Sequence, residues 1–308
     1  MGTWIQRAPM PTPRHDLQSI AVDGTIYAIS GADDLTVDAV EIYDVASDTW
    51  TQGPPIPTKR GWLGAARIGR RIYVAGGKTI RTPEEKKAYG HDYHFTSRDN
   101  LEMLDLDEQT WSALAPMPGG PRAGLAVTAC QDQIWAIGGN TMLREDPGIL
   151  DRVEVYDVAT DTWAPGPALP RPTQGPTVVT HDGRIYLTGG ISDEDPQQPC
   201  RSETYVLDPA VGRWEALAPV PTGRESSGSC VLNDLLYTFG GKDPHYSAAT
   251  EIYDIQADRW FEDAPMPVGK AWLSACVVGE RPFAMGGAHK WEDREGYNWI
   301  ADLHEFVP

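Results

Sequence analysis

At 308 residues the chain could hold one large domain or two ordinary ones, and its net charge of -18, from 44 acidic against 26 basic residues, argues against nucleic acid or an anionic membrane as partner. Both would need a positive footprint. Within the chain nothing reads as a membrane span or export signal, since Met1-Gly2-Thr3-Trp4 runs straight into repeated sequence, so a cytoplasmic protein is expected. Four cysteines show no zinc spacing: Cys130, Cys230 and Cys276 fall in strand patterns and read as buried thiols, while Cys200 falls in a loop.

The first element is a lone strand pattern over Thr3 to Pro9, carrying Trp4. After it an apolar run ends on a small-Gly pair six times: Ser30-Gly31, Gly76-Gly77, Gly138-Gly139, Gly189-Gly190, Gly240-Gly241 and Gly286-Gly287, with 46, 62, 51, 51 and 46 residues between second members. An aromatic stands four residues before each second glycine (Tyr27, Tyr73, Trp135, Tyr186, Tyr237, Phe283). Asp44, Asp105, Asp157, Asp208 and Asp254 each precede a tryptophan by six residues, and a proline-rich exit follows, as in Ala115-Pro116-Met117-Pro118.

Each period offers four short β-branched or aromatic runs, here strands a to d, separated by turn residues such as Asp23-Gly24, Asp182-Gly183 and Asn233-Asp234. The last glycine pair is followed by a c-like run, Leu303 to Val307, with no tryptophan after it, whereas Trp4 has no strands before it. The two ends complete one another. Thr3 to Pro9 therefore supplies strand d of the sixth unit, and residues 270–307 supply a, b and c. A four-stranded sheet cannot bury both faces alone, and radial stacking around a channel solves that. The expectation is an all-β, six-bladed propeller of antiparallel four-stranded blades, closed by the N-terminal strand, as a single domain over 1–308 and a monomer.

The glycine pair, the Tyr-Asp pair and the spaced tryptophan, repeated about every 50 residues, resemble the Kelch repeat over essentially the whole chain. That resemblance implies a binding face. Kelch domains commonly bind peptides, and that of the animal oxidative-stress sensor holds acidic side chains with arginines entering strand a.

In this strand order the b-to-c and d-to-a loops open on one face. Seventeen residues before each second glycine stand Arg14, Arg60, Arg122, Thr173, Arg224 and Lys270, a basic ring in an acidic protein. Beside it lie His15, Gln174 and Glu225 one residue on, and Trp62 and Trp272 two residues on; Tyr93, Tyr246 and Trp291 come from the variable b-to-c loops. These residues form the expected ligand surface, for an acidic peptide, a carboxylate metabolite or a sugar acid.

Two other readings are kept. One is an enzyme of the mutarotase or isomerase type on an anionic sugar, by analogy with the six-bladed Kelch mutarotase of sialic acids, with Glu225 or His15 moving the anomeric proton. The other is a metal-dependent catalyst using a divalent ion on His91, His94, His245 and His289. The Glu-x-x-x-Asp-x-x-x-His iron pattern of plant specifier proteins is missing, and six repeats do not match the seven blades of galactose oxidase. The chain contains no BTB or F-box segment, so a ubiquitin-ligase adaptor role would draw on a separate partner.

Overall fold

The computed structural model describes residues 1–82, 95–142, 148–194, 197, 199–290 and 296–308. Six four-stranded antiparallel sheets stand around an axis. Blade 1 runs Gln18–Val22, Thr25–Ile29, Val40–Asp44 and Thr49–Gln52; blades 2 to 5 repeat the order from Gly64–Ile68, Ala126–Cys130, Thr177–His181 and Gly228–Leu232. Blade 6 combines Ser274–Val278, Arg281–Met285 and Leu303–Val307 with the N-terminal Thr3–Arg7, in register from Thr3 opposite Val307 to Arg7 opposite Leu303. Closure by both chain ends is as expected. Pairing Thr3–Arg7 onto strand c occupies an edge that would otherwise present unpaired peptide groups.

The repeated residues have repeated jobs. The aromatics four residues before the second glycines are all buried, between 0% and 8% exposed, and pack in the clusters that fill the space between blades, as Tyr27 does against Leu63 and Ala65 of the next blade. Each strand-d tryptophan donates its indole N–H to the proline-rich exit of the preceding blade: Trp50 to Ala8, Trp111 to Pro54, Trp163 to Ala115, Trp214 to Pro167, Trp260 to Ala218 and Trp4 to Ala264, all at 2.8–3.0 Å. The indole circle is complete only because Trp4 fills the sixth position.

Blade junctions are of three kinds. At three junctions the exit alanine donates its N–H to an aspartate in the next blade that also accepts from a tyrosine: Ala8 and Tyr43 on Asp48, Ala115 and Tyr156 on Asp161, Ala218 and Tyr253 on Asp258. At the closing junction Ala264 and Gly2 both donate to Asp263, and Phe306 holds the tyrosine position. Pro54 and Pro167 have no N–H to satisfy. There the tyrosine position holds Leu104 and Leu207, and the aspartate position holds Gln109 and Gly212.

A second clamp secures the closing blade. Glu305 on strand c accepts from Arg7 on strand d (2.5 and 2.8 Å) and from both forks of Arg281 on strand b (2.5 Å each). These cations hold its carboxyl below the usual range, the Arg281 hydrogen bond contributing most.

Candidate functional site

The basic ring lies inside the blades. Arg14, Arg60 and Arg122 are 0% exposed, Arg224 3% and Lys270 2%. Each guanidinium passes beneath strand b and meets a glutamate on strand c: Arg14 with Glu41 at 2.5 Å, Arg60 with Glu102 at 2.9 Å, Arg122 with Glu154 at 2.7 Å, and Arg224 with Glu251. Strand-b carbonyls take further donors, including Ala28 from Arg14, Val74 from Arg60 and Ala136 from Arg122. Burial pushes Arg60 and Arg122 down to about 10 against the pull of Glu102 and Glu154, so both remain charged at neutral pH. Exposure of these cations to a ligand, expected from their spacing, is therefore corrected: Arg14, Arg60, Arg122, Arg224 and Lys270 are internal, and each of the four arginines meets a neutralising acid two strands away in the same blade.

The pairing follows the register. The strand-c residue opposite the fourth residue of strand b is Glu41, Glu102, Glu154 or Glu251 in the four arginine blades, but Tyr205 in the Thr173 blade and His304 in the Lys270 blade. Where the cation is missing, so is the acid. Lys270 alone keeps a cation without one: among the described residues its Nζ has no hydrogen-bond partner, and burial pushes it down to about 8, opposed by the more distant Asp302.

Two residues beyond each ring position the chain turns across the axis. Asp16, Trp62, Gly124, Gly175, Ser226 and Trp272 all have φ between 55° and 62°. Their backbones form a closed circle in which each N–H donates to the preceding carbonyl, Trp62 to Asp16, Gly124 to Trp62, and so on to Asp16 to Trp272, at 2.7–3.0 Å. This collar narrows the axis to a cavity of about 60 Å³. Left-handed backbone costs an L-residue roughly 1–2 kcal/mol that glycine avoids. Two blades use glycine here, yet two place tryptophan. The glycines also make room: a Cβ on Gly124 would lie 2.9 Å from the Trp62 ring, and one on Gly175 would lie 3.2 Å from Glu225 Oε2.

Above the collar opens a pocket of about 260 Å³ lined by His15, Asp16, Trp62, Lys78, Gln174, Glu225, Trp272, Tyr297 and Trp299. His15 stacks on Trp299 with centroids 4.5 Å apart, Tyr297 stacks on Trp299 at 5.7 Å, and Trp272 meets Tyr297 and Tyr246 edge-on at 5.9 and 5.8 Å. Lys78 Nζ is 2.8 Å from Asp16 Oδ2 and 4.9 Å from the centre of the Trp62 ring, while Lys242 lies 5.6 Å over Trp272. Burial alone would raise Asp16, but Lys78 and His15, whose Nδ1 is 3.2 Å away, override it and hold that carboxyl well below the carboxylate range. Burial pushes Glu225 up, against the pull of Lys242 and with help from Asp16. Glu225 is 9% exposed, and its nearest hydrogen-bonding group is the Ser226 hydroxyl at 3.5 Å.

Of the residues expected at a ligand surface, His15, Trp62, Gln174, Glu225 and Trp272 come together here, and Tyr246 packs behind Trp272. Tyr93 and Trp291 lie outside the described residues, as do His91 and His94. Of the histidines expected to share a metal, His245 is exposed and His289 half-buried. Neither belongs to the one grouping among the described residues whose ligand atoms lie within 4.8 Å of each other, His181, Asp182 and Asp234.

Lys78, Lys242 and Asp16 were not anticipated as pocket residues. The residue after each second glycine bridges to the residue after each ring position, as in Gly61 with Lys78 and Glu225 with Lys242. That register carries both lysines to the mouth, and it is readable as the position immediately after each glycine pair.

The geometry agrees with comparison to known proteins. A family model for the KLHDC2/KLHL20/DRC7 Kelch-repeats domain matches residues 89–287, and a Kelch motif model matches residues 13–57. Kelch-like protein 40 of Xenopus laevis is 30% identical over 60% of this chain and 28% of its own length; Kelch-like protein 35 of Mus musculus is 28% identical over 75% and 36%; Kelch-like protein 23 of Homo sapiens is 29% identical over 83% and 42%. The chain thus spans well under half the length of these relatives. The solved structure of YjhT shares the fold, with TM-score 0.78 and 18% identity over 96% of this chain and 95% of that one. The chain belongs to the Kelch-repeat family, with a matching Kelch-repeats model over residues 89–287 and six Kelch blades in the folded structure.

Proposed function

We propose that this propeller is a cytoplasmic binding protein whose ligand, a polar ring-bearing molecule such as a sugar or sugar acid, occupies the pocket above the collar. The carrying observation is the pair Trp62 and Trp272, held in left-handed backbone at positions where other blades use glycine. Strain of this kind persists where the side chain is needed. An aromatic wall suits the apolar face of a sugar ring, while Gln174, Glu225, Asp16 and Lys78 offer donors and acceptors to its hydroxyls. An acidic peptide is less well served, because the ring arginines are spent on internal glutamates and Lys78 on Asp16. The four free cysteines suit a reducing compartment.

The test uses glycine, which the collar already accepts. Trp62→Gly and Trp272→Gly remove the wall while relieving roughly 1–2 kcal/mol of backbone strain each. Calorimetric titration with a panel of neutral and acidic monosaccharides should show affinity falling at least tenfold in each variant, with the melting temperature within a few degrees of the parent. Unchanged affinity in both variants would remove the reading.

A catalytic version is favoured by one observation, the two carboxyls of this pocket pushed in opposite directions. Glu225, which burial pushes towards its protonated form, and the Asp16 carboxylate, which its neighbours hold ionised, are a pair whose environments suit moving a proton on the bound ring. Glu225→Gln would then abolish anomer exchange of a bound reducing sugar, followed by NMR, while leaving its affinity intact. Exchange at the uncatalysed rate in the parent protein would exclude it.

A further inference from the structure

Below the collar the axis widens into a second cavity, of about 340 Å³, lined by strand a of all six blades. Most of the polar side chains that line it are hydroxyls. Thr128 and Thr180 share a hydrogen bond at 2.8 Å across blades 3 and 4, and Ser19 and Ser274 share one at 2.8 Å across blades 1 and 6. Among the described residues no carboxylate lines it, in a chain with 44 acidic residues.

One charged side chain lines this cavity, Arg67. Ten residues before the second glycine, the other five blades place Ala21, Ala129, Thr180, Val231 and Val277, so neither the repeat nor the packing requires a cation there. Unlike the ring arginines, Arg67 is exposed, and no ion pair or hydrogen bond joins its guanidinium to any described residue. It stands next to the a-to-b turn, with Ile68 paired to Arg71. That places it at the end of the channel opposite the aromatic pocket, reachable from solvent.

We propose that Arg67 makes this channel a binding site for a small oxyanion of the phosphate or sulfate type, entering from the a-to-b turn face. A guanidinium with five donors and no acceptor matches two oxygens of such an ion at once. Hydroxyls can rotate to donate to the remaining oxygens, and no neighbouring carboxylate in the lining competes. The site is independent of the aromatic pocket, from which the collar separates it.

The experiment titrates the whole protein with inorganic phosphate, sulfate and glycerol phosphate, against sodium chloride of matched ionic strength. Melting temperature and phosphorus NMR line width are followed. Saturable stabilisation beyond the chloride control is expected from phosphate or sulfate in the millimolar range, with at least a tenfold loss of affinity in Arg67→Ala, partial retention in Arg67→Lys, and no change in Trp272→Gly. A response to glycerol phosphate as well extends the site to phosphate esters. Arg67→Ala should fold normally, because alanine is the residue of blades 1 and 3. The proposal is overturned if phosphate and sulfate do no more than chloride, or if Arg67→Ala responds as the parent does.

Discussion

Replacing the same ring position by methionine in two blades should move stability in opposite directions. Arg60→Met deletes one half of an internal ion pair, leaving Glu102, 3% exposed, with its partner gone. Breaking a buried pair in this way costs about 3–5 kcal/mol. Lys270→Met deletes a cation that has no carboxylate to lose. Keeping Lys270 charged at pH 7 with a value of about 8, against its ordinary 10.5, costs about 3 kcal/mol, which methionine removes while keeping most of the packing. The pH dependence has a definite sign. Because the folded value is lowered, the cost is complete below pH 8 and fades between 8 and 10.5, as the lysine loses its proton in both states. Urea unfolding should therefore show Lys270→Met stabilised by about 2–3 kcal/mol at pH 7 and almost level with the parent near pH 10.5. Destabilisation of Lys270→Met at pH 7, or a neutral Arg60→Met, would refute the account of the ring as internal scaffolding.

The closing blade and the junctions supply further tests. Deleting residues 1–8 removes the Trp4 indole bond and the Arg7 contact with Glu305, and should lower the melting temperature by several degrees or more; an unchanged melt would mean closure lies elsewhere. Glu305 is held below its ordinary value, so its contribution is present above about pH 4.5 and disappears as pH falls through the folded value. Glu305→Gln should thus weaken the fold at pH 7 and progressively less as the pH falls below about 4.5, read from a series of unfolding curves. Tyr43→Phe deletes the hydroxyl that donates to Asp48 at 2.6 Å and should cost about 1 kcal/mol in chemical denaturation, whereas Leu104→Ala, at the same position in a proline junction, should cost about 2–5 kcal/mol through cavity formation.

The architecture could be read from the chain because it depends on residues that recur: the glycine pairs, the aromatic four residues before them, and tryptophans whose indole must reach the preceding blade. Closure was legible for the same reason, since Trp4 lacks a blade of its own and Leu303 to Val307 lacks a tryptophan. The ring cations were found at the right positions but given the wrong role. Their partners, Glu41, Glu102, Glu154 and Glu251, look in sequence like the polar members of alternating strands, and only the register of strand b against strand c brings them under the arginines. The two tryptophans were visible as departures from the repeat. Their left-handed backbone was not, although Gly124 and Gly175 at the same position are the trace it leaves. Lys78 and Lys242 went unnoticed because residues beyond the glycine pairs look like ordinary loop until the bridge to the ring neighbour is known.

The claim that the ligand sits on the aromatic pocket, and not on the basic ring, is tested most directly by fluorine NMR of protein labelled with fluorotryptophan. Resonances are assigned through Trp62→Gly, Trp272→Gly and Trp299→Phe and followed through titration with neutral and acidic monosaccharides. The account predicts that a binding sugar moves the signals of Trp62, Trp272 and Trp299 while the six strand-d indoles, each tied to a neighbouring blade, stay in place. A sugar that binds with calorimetric heat yet leaves all three pocket signals unmoved would contradict it.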